Sequence, residues 1–161
     1  LEEALGSSVS MQMLEHERSV PIWICRRIES SRKGVLLCLD GSKPSQRITD
    51  HVGFMLQDKE NHPVTLFHVQ TRKADSAEEM FSQARDVLLR NGIEASRISE
   101  KVVPGRNVAK GIQKEAQEGG YAVVAVGYSG AGHKGLRAQL SIGSVSKRLS
   151  YDLQGHGLWI S

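Results

Sequence analysis

The sequence has few of the residues that staple small secreted proteins or stack on nucleic-acid bases. Among 161 residues there are two cysteines and four prolines, and aromatic residues make up 5%. Cys25 and Cys38 stand apart in apolar runs without a CxxC motif, which excludes a disulfide framework and is typical of a reducing compartment. So few aromatic side chains argue against a base-stacking platform for single-stranded nucleic acid.

Long hydrophobic runs and a strong charge of one sign are also missing. No run approaches the roughly 18 apolar residues that span a bilayer, and no signal-peptide pattern opens the chain, so we expect a cytoplasmic protein that does not enter membranes. The net charge of +3 is spread along the chain, so nucleic acid is not an expected partner. Because the chain begins with leucine, we expect the natural protein to extend further at that end.

From residue 34 onward, short apolar runs alternate with stretches of helical periodicity. The clearest helix is expected at residues 76–89, where apolar side chains recur at helical spacing. Residues 121–126 are apolar throughout, which is typical of a strand buried on both faces of a parallel sheet. The order βαβαβαβαβ predicts an α/β fold with an open five-stranded parallel sheet and helices on both faces. The strands are expected at 35–39, 63–69, 98–103, 121–126 and 158–160.

The N-terminal segment lies outside this series but resembles its end. Residues 6–25 and residues 143–160 each contain a Gly-Ser start, a helical stretch, and a strand with a Trp-Ile pair. We interpret this as an internal repeat. Residues 1–25 would be the C-terminal helix and strand of a preceding domain, 26–33 a charged linker, and 34–161 a complete domain. Coincidence between two short amphipathic helices is the alternative.

A polar turn follows the first predicted strand. Asp40, Gly41 and Ser42 stand at its carboxyl end, and open α/β sheets bind ligands beyond the carboxyl ends of their strands. A carboxylate there can accept hydrogen bonds from a sugar hydroxyl or a base amine. The alternative is that Asp40 only forms an Asx turn or caps the next helix.

A glycine-rich segment, residues 127–135, follows the fourth predicted strand and leads to a second Gly-Ser pair at a helix start. Glycines let the backbone approach an anion closely, and the N–H groups at a helix start bind phosphate. Ser144 and Ser146 add hydroxyl groups at that start. The alternative, a solvated loop with an ordinary serine cap, explains the glycines less well. Three basic side chains in the loop could reach a phosphate tail: His133, Lys134 and Arg137.

Other chemistries lack support in the sequence. Residues 130–135 match GxGxxG, but that fingerprint belongs after the first strand of a βαβ unit, and here it follows the fourth. A Walker A motif fails because Gly135 follows Lys134 where Ser or Thr is needed. The histidines show no metal-ligand spacing, and His68, inside an apolar strand, is expected to be a hydrogen-bonded core residue. With no GxSxG elbow and no Cys/His pair, we predict no metal site and no catalytic residues.

Together these features resemble the universal stress protein family. The resemblance covers residues 34–161 and rests on the turn at Asp40, the strand TLFHV, the segment YAVVAVGYSG and the helix GSVSKRL. It implies a Rossmann-like sheet with strand order 3-2-1-4-5, and pairing through the last strand, as a homodimer or between tandem domains. It also implies binding of ATP, with or without Mg²⁺, and no defined catalytic role. The N-terminal segment makes the parent protein resemble a tandem member of the family.

The resemblance also implies roles for individual residues. Asp40 and Val69 would hold the adenosine end of ATP, Gly127 and Gly130 would lie against ribose and phosphate, and the phosphates would be held by Gly143, Ser144, Val145 and Ser146. In the family signature nine residues separate the second glycine from the Gly-Ser pair. Here twelve do, residues 131–142, three more than in the signature.

The expected function is therefore a non-catalytic, ATP-binding stress-response module. One alternative is a degenerate domain that binds no ATP and acts as a dimerisation or protein-interaction unit, which the longer loop favours. The other is an enzyme of a related nucleotide-binding α/β class, for which the sequence offers no recognisable nucleophile or base.

Overall fold

The computed structural model describes residues 20–72, 76–129 and 142–161. Six strands and four α-helices occur in these ranges. The strands are β1 (Ile22–Cys25), β2 (Val35–Cys38), β3 (Val64–Gln70), β4 (Ile98–Pro104), β5 (Val123–Val126) and β6 (Gly157–Ile160). The helices are α1 (Lys43–Leu56), α2 (Glu78–Arg90), α3 (Val108–Gly119) and α4 (Ser144–Asp152), and a 3₁₀ turn at Ala95–Arg97 precedes β4.

The strands form one mixed sheet in the order β1-β6-β5-β2-β3-β4. Strands β2 to β6 pair in parallel, and among these five the order is the one that the family resemblance implied. The prediction of a five-stranded, all-parallel sheet was wrong in one respect, because β1 adds a sixth strand antiparallel to β6. β1 covers the backbone edge of β6, and Trp23 stacks on Trp159 with ring centroids 4.7 Å apart.

A hydrophobic core lies on each face of the sheet. Successive side chains of a strand point to opposite faces, so Leu36 packs toward α3 and α4 whereas Leu37 packs toward α1 and α2. Both side chains are completely buried, which explains why β2 is apolar at every position.

The helices begin at the carboxyl edge of the sheet, and their first turns are built differently. In α1, the Ser42 side chain caps the helix by accepting from the N–H of Ser45 at 3.2 Å, and Pro44 occupies the first turn. In α3, Asn107 caps the start by accepting from the N–H of Lys110. In α4, the residue before the helix is Gly143, which has no side chain to cap it. Neither α4 nor α2, which Ala77 precedes, has a side-chain capping bond, and of these two it is the start of α4 that lies next to the end of β5.

The segment predicted as a linker packs onto the C-terminal part of the chain. Arg26 donates a hydrogen bond to the carbonyl of Ser150 at 2.8 Å, and the N–H of Glu29 donates to the carbonyl of Gly155. Arg32 lies 3.2 Å from Nε2 of His156. Residues 1–19, which carry most of the first copy of the predicted repeat, lie outside the described residues.

Candidate functional site

A cleft of about 700 Å³ opens at the carboxyl ends of β2, β3 and β5. It lies where the chain leaves β2 toward one face of the sheet and leaves β5 toward the other, so the two backbones diverge. The cleft is lined by all of the predicted site residues that the structure describes, namely Asp40, Val69, Gly127, Gly143, Ser144, Val145 and Ser146. Gly130 lies outside the described residues, as do His133, Lys134 and Arg137.

Residues 127–129, which follow β5, and residues 143–146 at the start of α4 meet at the mouth of the cleft through direct hydrogen bonds. The N–H of Gly143 donates to the carbonyl of Tyr128 at 2.8 Å, and the hydroxyl of Ser146 donates to the carbonyl of Gly127 at 2.6 Å. These two donors therefore hold the walls together. The N–H groups of Ser144, Val145 and Ser146 belong to the first turn of α4, where backbone N–H groups have no acceptor within the helix, and no side chain of the described residues caps this turn.

Gly127 is set by close packing against the start of α1. A Cβ atom at this position would lie 2.9 Å from the backbone and side chain of Pro44 and from the backbone nitrogen of Ser45. Any side chain would therefore push the end of β5 away from α1. Close to this contact, the hydroxyl of Ser42 donates a hydrogen bond of 3.4 Å to the carbonyl of Ser129.

Asp40 forms the Asx turn that the sequence offered as one interpretation of its position, and it lines the cleft. One carboxylate oxygen accepts from the N–H of Ser42 at 3.0 Å, which is the Asx turn, and the residue is exposed at the mouth of the cleft. Gly41, with φ of +76°, makes the turn possible, since side chains are rarely tolerated there. The turn fixes the carboxylate beside the cleft.

The backbone edge of Val69 faces the cleft because β3 runs further than β2. The last hydrogen bond between the two strands runs from the N–H of Leu39 to the carbonyl of Phe67 at 2.8 Å. Alternate residues of a parallel strand bond to the same neighbour, so the N–H and C=O of Val69 point to the side that β2 has left. Gln70, one residue on, bonds to the opposite side through Gly105.

Two glycines hold the side chain of Val69 in place. A Cβ at Gly111 would lie 2.9 Å from one methyl group of Val69, and a Cβ at Gly105 would lie 3.0 Å from the other. Their absent side chains let α3 and the loop before it lie directly on β3. Sequence reasoning did not single out either glycine, although an isolated glycine inside a helical pattern is the signal for such an approach.

The inner part of the cleft is apolar and uncharged. Phe67, Val108 and Ile112 line it together with Cys38. Burial raises the pKa of the Cys38 thiol far above its usual range, so the thiol stays protonated and neutral. In the part of the chain that the structure describes, no group of three or more His, Cys, Asp or Glu side chains is arranged to hold a metal ion. The cleft thus suits a ligand with a flat apolar part and an anionic part.

The family model described as the universal stress protein family matches residues 31–151. The chain belongs to the universal stress protein family. No curated protein is similar enough in sequence to count as a match. Among the described residues of this universal stress protein, no helix combines the length and apolar character needed to cross a membrane.

Several solved universal stress proteins have the same fold. One in complex with cAMP is 19% identical, with a TM-score of 0.64, and the match covers 81% of this chain and 96% of that chain. One from Archaeoglobus fulgidus in complex with dAMP is 18% identical, with a TM-score of 0.59 and coverage of 80% and 96%. UspA from Lactobacillus plantarum is 14% identical, with a TM-score of 0.64 and coverage of 85% and 99%. At these identities the similarity shows the fold alone.

Proposed function

We propose that this universal stress protein domain is a non-catalytic module that binds an adenine nucleotide, ATP with or without Mg²⁺, in the cleft. The observation that carries the proposal is the opposition of the uncapped first turn of α4 to the open backbone edge of Val69 across an apolar floor. A volume of about 700 Å³ lies within the range of small-molecule sites. Support also comes from two universal stress proteins of the same fold, solved with cAMP and dAMP.

Each residue that lines the cleft has a place in the proposed complex. The base would lie on the apolar floor against the backbone edge of Val69, and the carboxylate of Asp40 would accept from the ribose hydroxyls. The phosphates would lie at the N–H groups of Ser144, Val145 and Ser146, where the helix dipole favours negative charge. Gly127 and Gly143 would keep the two walls joined, and Gly130 is proposed to approach the ribose or phosphates. Any Mg²⁺ would be held chiefly by the phosphates and water.

Thermal unfolding with and without ATP tests this proposal. A ligand that binds only the folded state stabilises it by RT ln(1 + [L]/Kd), about 2.7 kcal/mol at a hundredfold excess over Kd. We expect a higher Tm with ATP, and we expect nucleotide to be released when the freshly purified protein is denatured. No shift at millimolar nucleotide, with no nucleotide released, would support the degenerate domain that acts only through protein contacts.

We also infer that β1 is the last strand of a preceding domain of the same kind, joined by residues 26–33. Trp23 pairs with Trp159 and Ile22 with Ile160, so the antiparallel seam has a local twofold arrangement of similar sequences. Because β1 occupies the edge of β6, a homodimer through β6 would have to displace it. Pairing within one chain therefore fits the seam better than a homodimer. The separate, unpaired thiols support a cytoplasmic location.

A further inference from the structure

We propose that His68 is a positioning residue that ends the β2–β3 ladder one hydrogen bond early and thereby leaves the N–H of Val69 free for the nucleotide. The inference rests on the proposed function for its ligand, but its structural part can be tested without one. It concerns a residue that the sequence indicated only as a hydrogen-bonded core histidine.

The register of the two strands shows which hydrogen bond is missing. Cys38 lies opposite Phe67, so the next opposed pair is Leu39 and His68. A regular parallel ladder would continue with a bond from the N–H of Val69 to the carbonyl of Leu39. Among the described residues, this backbone bond is not formed. The carbonyl of Leu39 instead lies 2.8 Å from Nδ1 of His68.

The chemistry of the contact fixes the role of the ring. A carbonyl oxygen only accepts, so Nδ1 carries the hydrogen and donates it. Leu39 is only 5% exposed, and an unsatisfied carbonyl there would be costly. His68 removes that cost and so lets β2 turn away at Asp40 without the last rung of the ladder. Both ends of Leu39 are then bonded, its N–H to Phe67 and its carbonyl to His68.

Two consequences for the site follow. The N–H of Val69 faces the cleft, where it can donate a hydrogen bond to a ring nitrogen of the bound base. The peptide that joins Leu39 to Asp40 is held in one orientation, which places the Asp40 carboxylate at the mouth. Without a donor on His68, the Val69 N–H could pair with Leu39, the sheet would extend, and the binding edge would be lost.

Three variants distinguish this role from general packing. An asparagine amide nitrogen lies close to where Nδ1 lies, whereas a glutamine amide reaches the position of Nε2, and leucine has no donor. We expect His68→Asn to keep the ATP affinity within about twofold, and His68→Gln and His68→Leu to weaken it about tenfold, as for the loss of one hydrogen bond to the ligand. Titration calorimetry measures the affinities, and thermal unfolding without nucleotide checks that each full-length variant folds.

Hydrogen exchange at the Val69 amide provides the second readout. We expect the amide to exchange rapidly in the ligand-free protein and in His68→Asn, and to become protected in His68→Leu as it bonds to Leu39. Equal exchange in the wild type and in His68→Leu would overturn the role of His68 whether or not ATP binds. If the wild type binds no ATP but the exchange differs as expected, the proposed function fails and the ladder-ending role stands. An ATP affinity that is unchanged in His68→Leu would overturn the consequence for binding.

Discussion

At the scale of single residues, the carboxylate of Asp40 has one observed role, the Asx turn, and one proposed role, a contact with the nucleotide, and the two can be separated. Asparagine retains an oxygen for the Ser42 N–H but carries no charge, whereas alanine removes both. We expect Asp40→Asn to weaken nucleotide binding severalfold with little change in stability, because hydrogen bonds to charged groups are roughly twice as strong. Asp40→Ala should in addition lose about 1 kcal/mol of stability. Calorimetry and urea unfolding measure the two effects; equal ATP affinity for Asp40→Asn and wild type would remove Asp40 from the site.

Gly127 is a residue of the cleft wall at which a single methyl group should be costly. In Gly127→Ala the added carbon would meet Pro44 and Ser45 at 2.9 Å, so the start of α1 must move. We expect a loss of about 1–3 kcal/mol in the free energy of unfolding, as for overpacking in a core. Ser129→Ala, two residues further along the same loop, serves as the control and should change it by less than about 0.5 kcal/mol. Equal stability of the two variants would mean that the contact between Gly127 and the start of α1 tolerates the methyl group.

At the scale of elements, replacing Gly111 of α3 by alanine should change the free energy of unfolding in the opposite direction from the same substitution in an ordinary helix. Gly→Ala inside a helix normally stabilises by about 1 kcal/mol. Gly111→Ala should instead destabilise, because its new Cβ would lie 2.9 Å from a methyl group of Val69. In a Val69→Ala background, which keeps the backbone edge but lacks those methyl groups, the same change should stabilise. Urea unfolding of the four proteins gives the coupling; the same sign in both backgrounds would contradict it.

The segment that precedes β2 is held by a histidine whose protonation should release it. His156 is 1% exposed; one ring nitrogen lies 2.6 Å from the carbonyl of Tyr121, and the other lies near Arg32. Burial lowers the pKa of His156 below its ordinary value of about 6.5. The hydrogen bond to the Tyr121 carbonyl partly raises the pKa again, the charge of Arg32 lowers it further, and the charge of Glu29 raises it. The unfolded chain therefore binds more protons as the pH falls through about 6.5. The contribution of His156 to stability is present above that pH, and it is lost as the pH falls through the lowered pKa that His156 has in the folded protein.

We expect the free energy of unfolding to decrease as the pH is lowered from about 7 to about 5. The decrease should be smaller in His156→Asn, because asparagine can still donate a hydrogen bond to the Tyr121 carbonyl but does not titrate. The comparison is needed because burial also lowers the pKa of His51, which contributes in the same direction. Urea unfolding at several pH values provides the measurement. Identical pH dependence in the two proteins would show that His156 does not contribute.

Most elements could be predicted from the sequence because each has a clear local pattern. The apolar β2 and β5 and the amphipathic α2 were predicted within a few residues of their observed bounds. The local pattern of β1 does not specify which edge it joins or in which direction, and only the family resemblance implied pairing through the last strand. The position of Asp40, and the meeting of residues 127–129 with residues 143–146, follow from the strand order. The packing of Gly111 on Val69 and the contact of His68 with Leu39 depend on distances between elements, which no local pattern contains.

At the scale of the whole molecule, we expect the seam between β1 and β6 to determine how copies of the chain associate. Removal of residues 1–25 would expose the edge of β6 with its apolar side chains, an edge suited to a second strand. We expect the full chain to be monomeric and the shortened chain to dimerise with rising concentration, as measured by analytical ultracentrifugation. Removal of residues 1–19 alone keeps β1 and is the control. A full chain that dimerises as readily as the shortened one would contradict pairing within the chain.

The stacked indoles give this seam an optical signature of its own. The chain has two tryptophans, Trp23 and Trp159, and both lie at the seam rather than in the cleft. Their emission and the exciton coupling of their far-ultraviolet transitions therefore report on whether the two strands stay together. Separation of β1 from β6 would abolish that coupling, whereas neither tryptophan lines the cleft, so the protein carries its own optical probe of the seam.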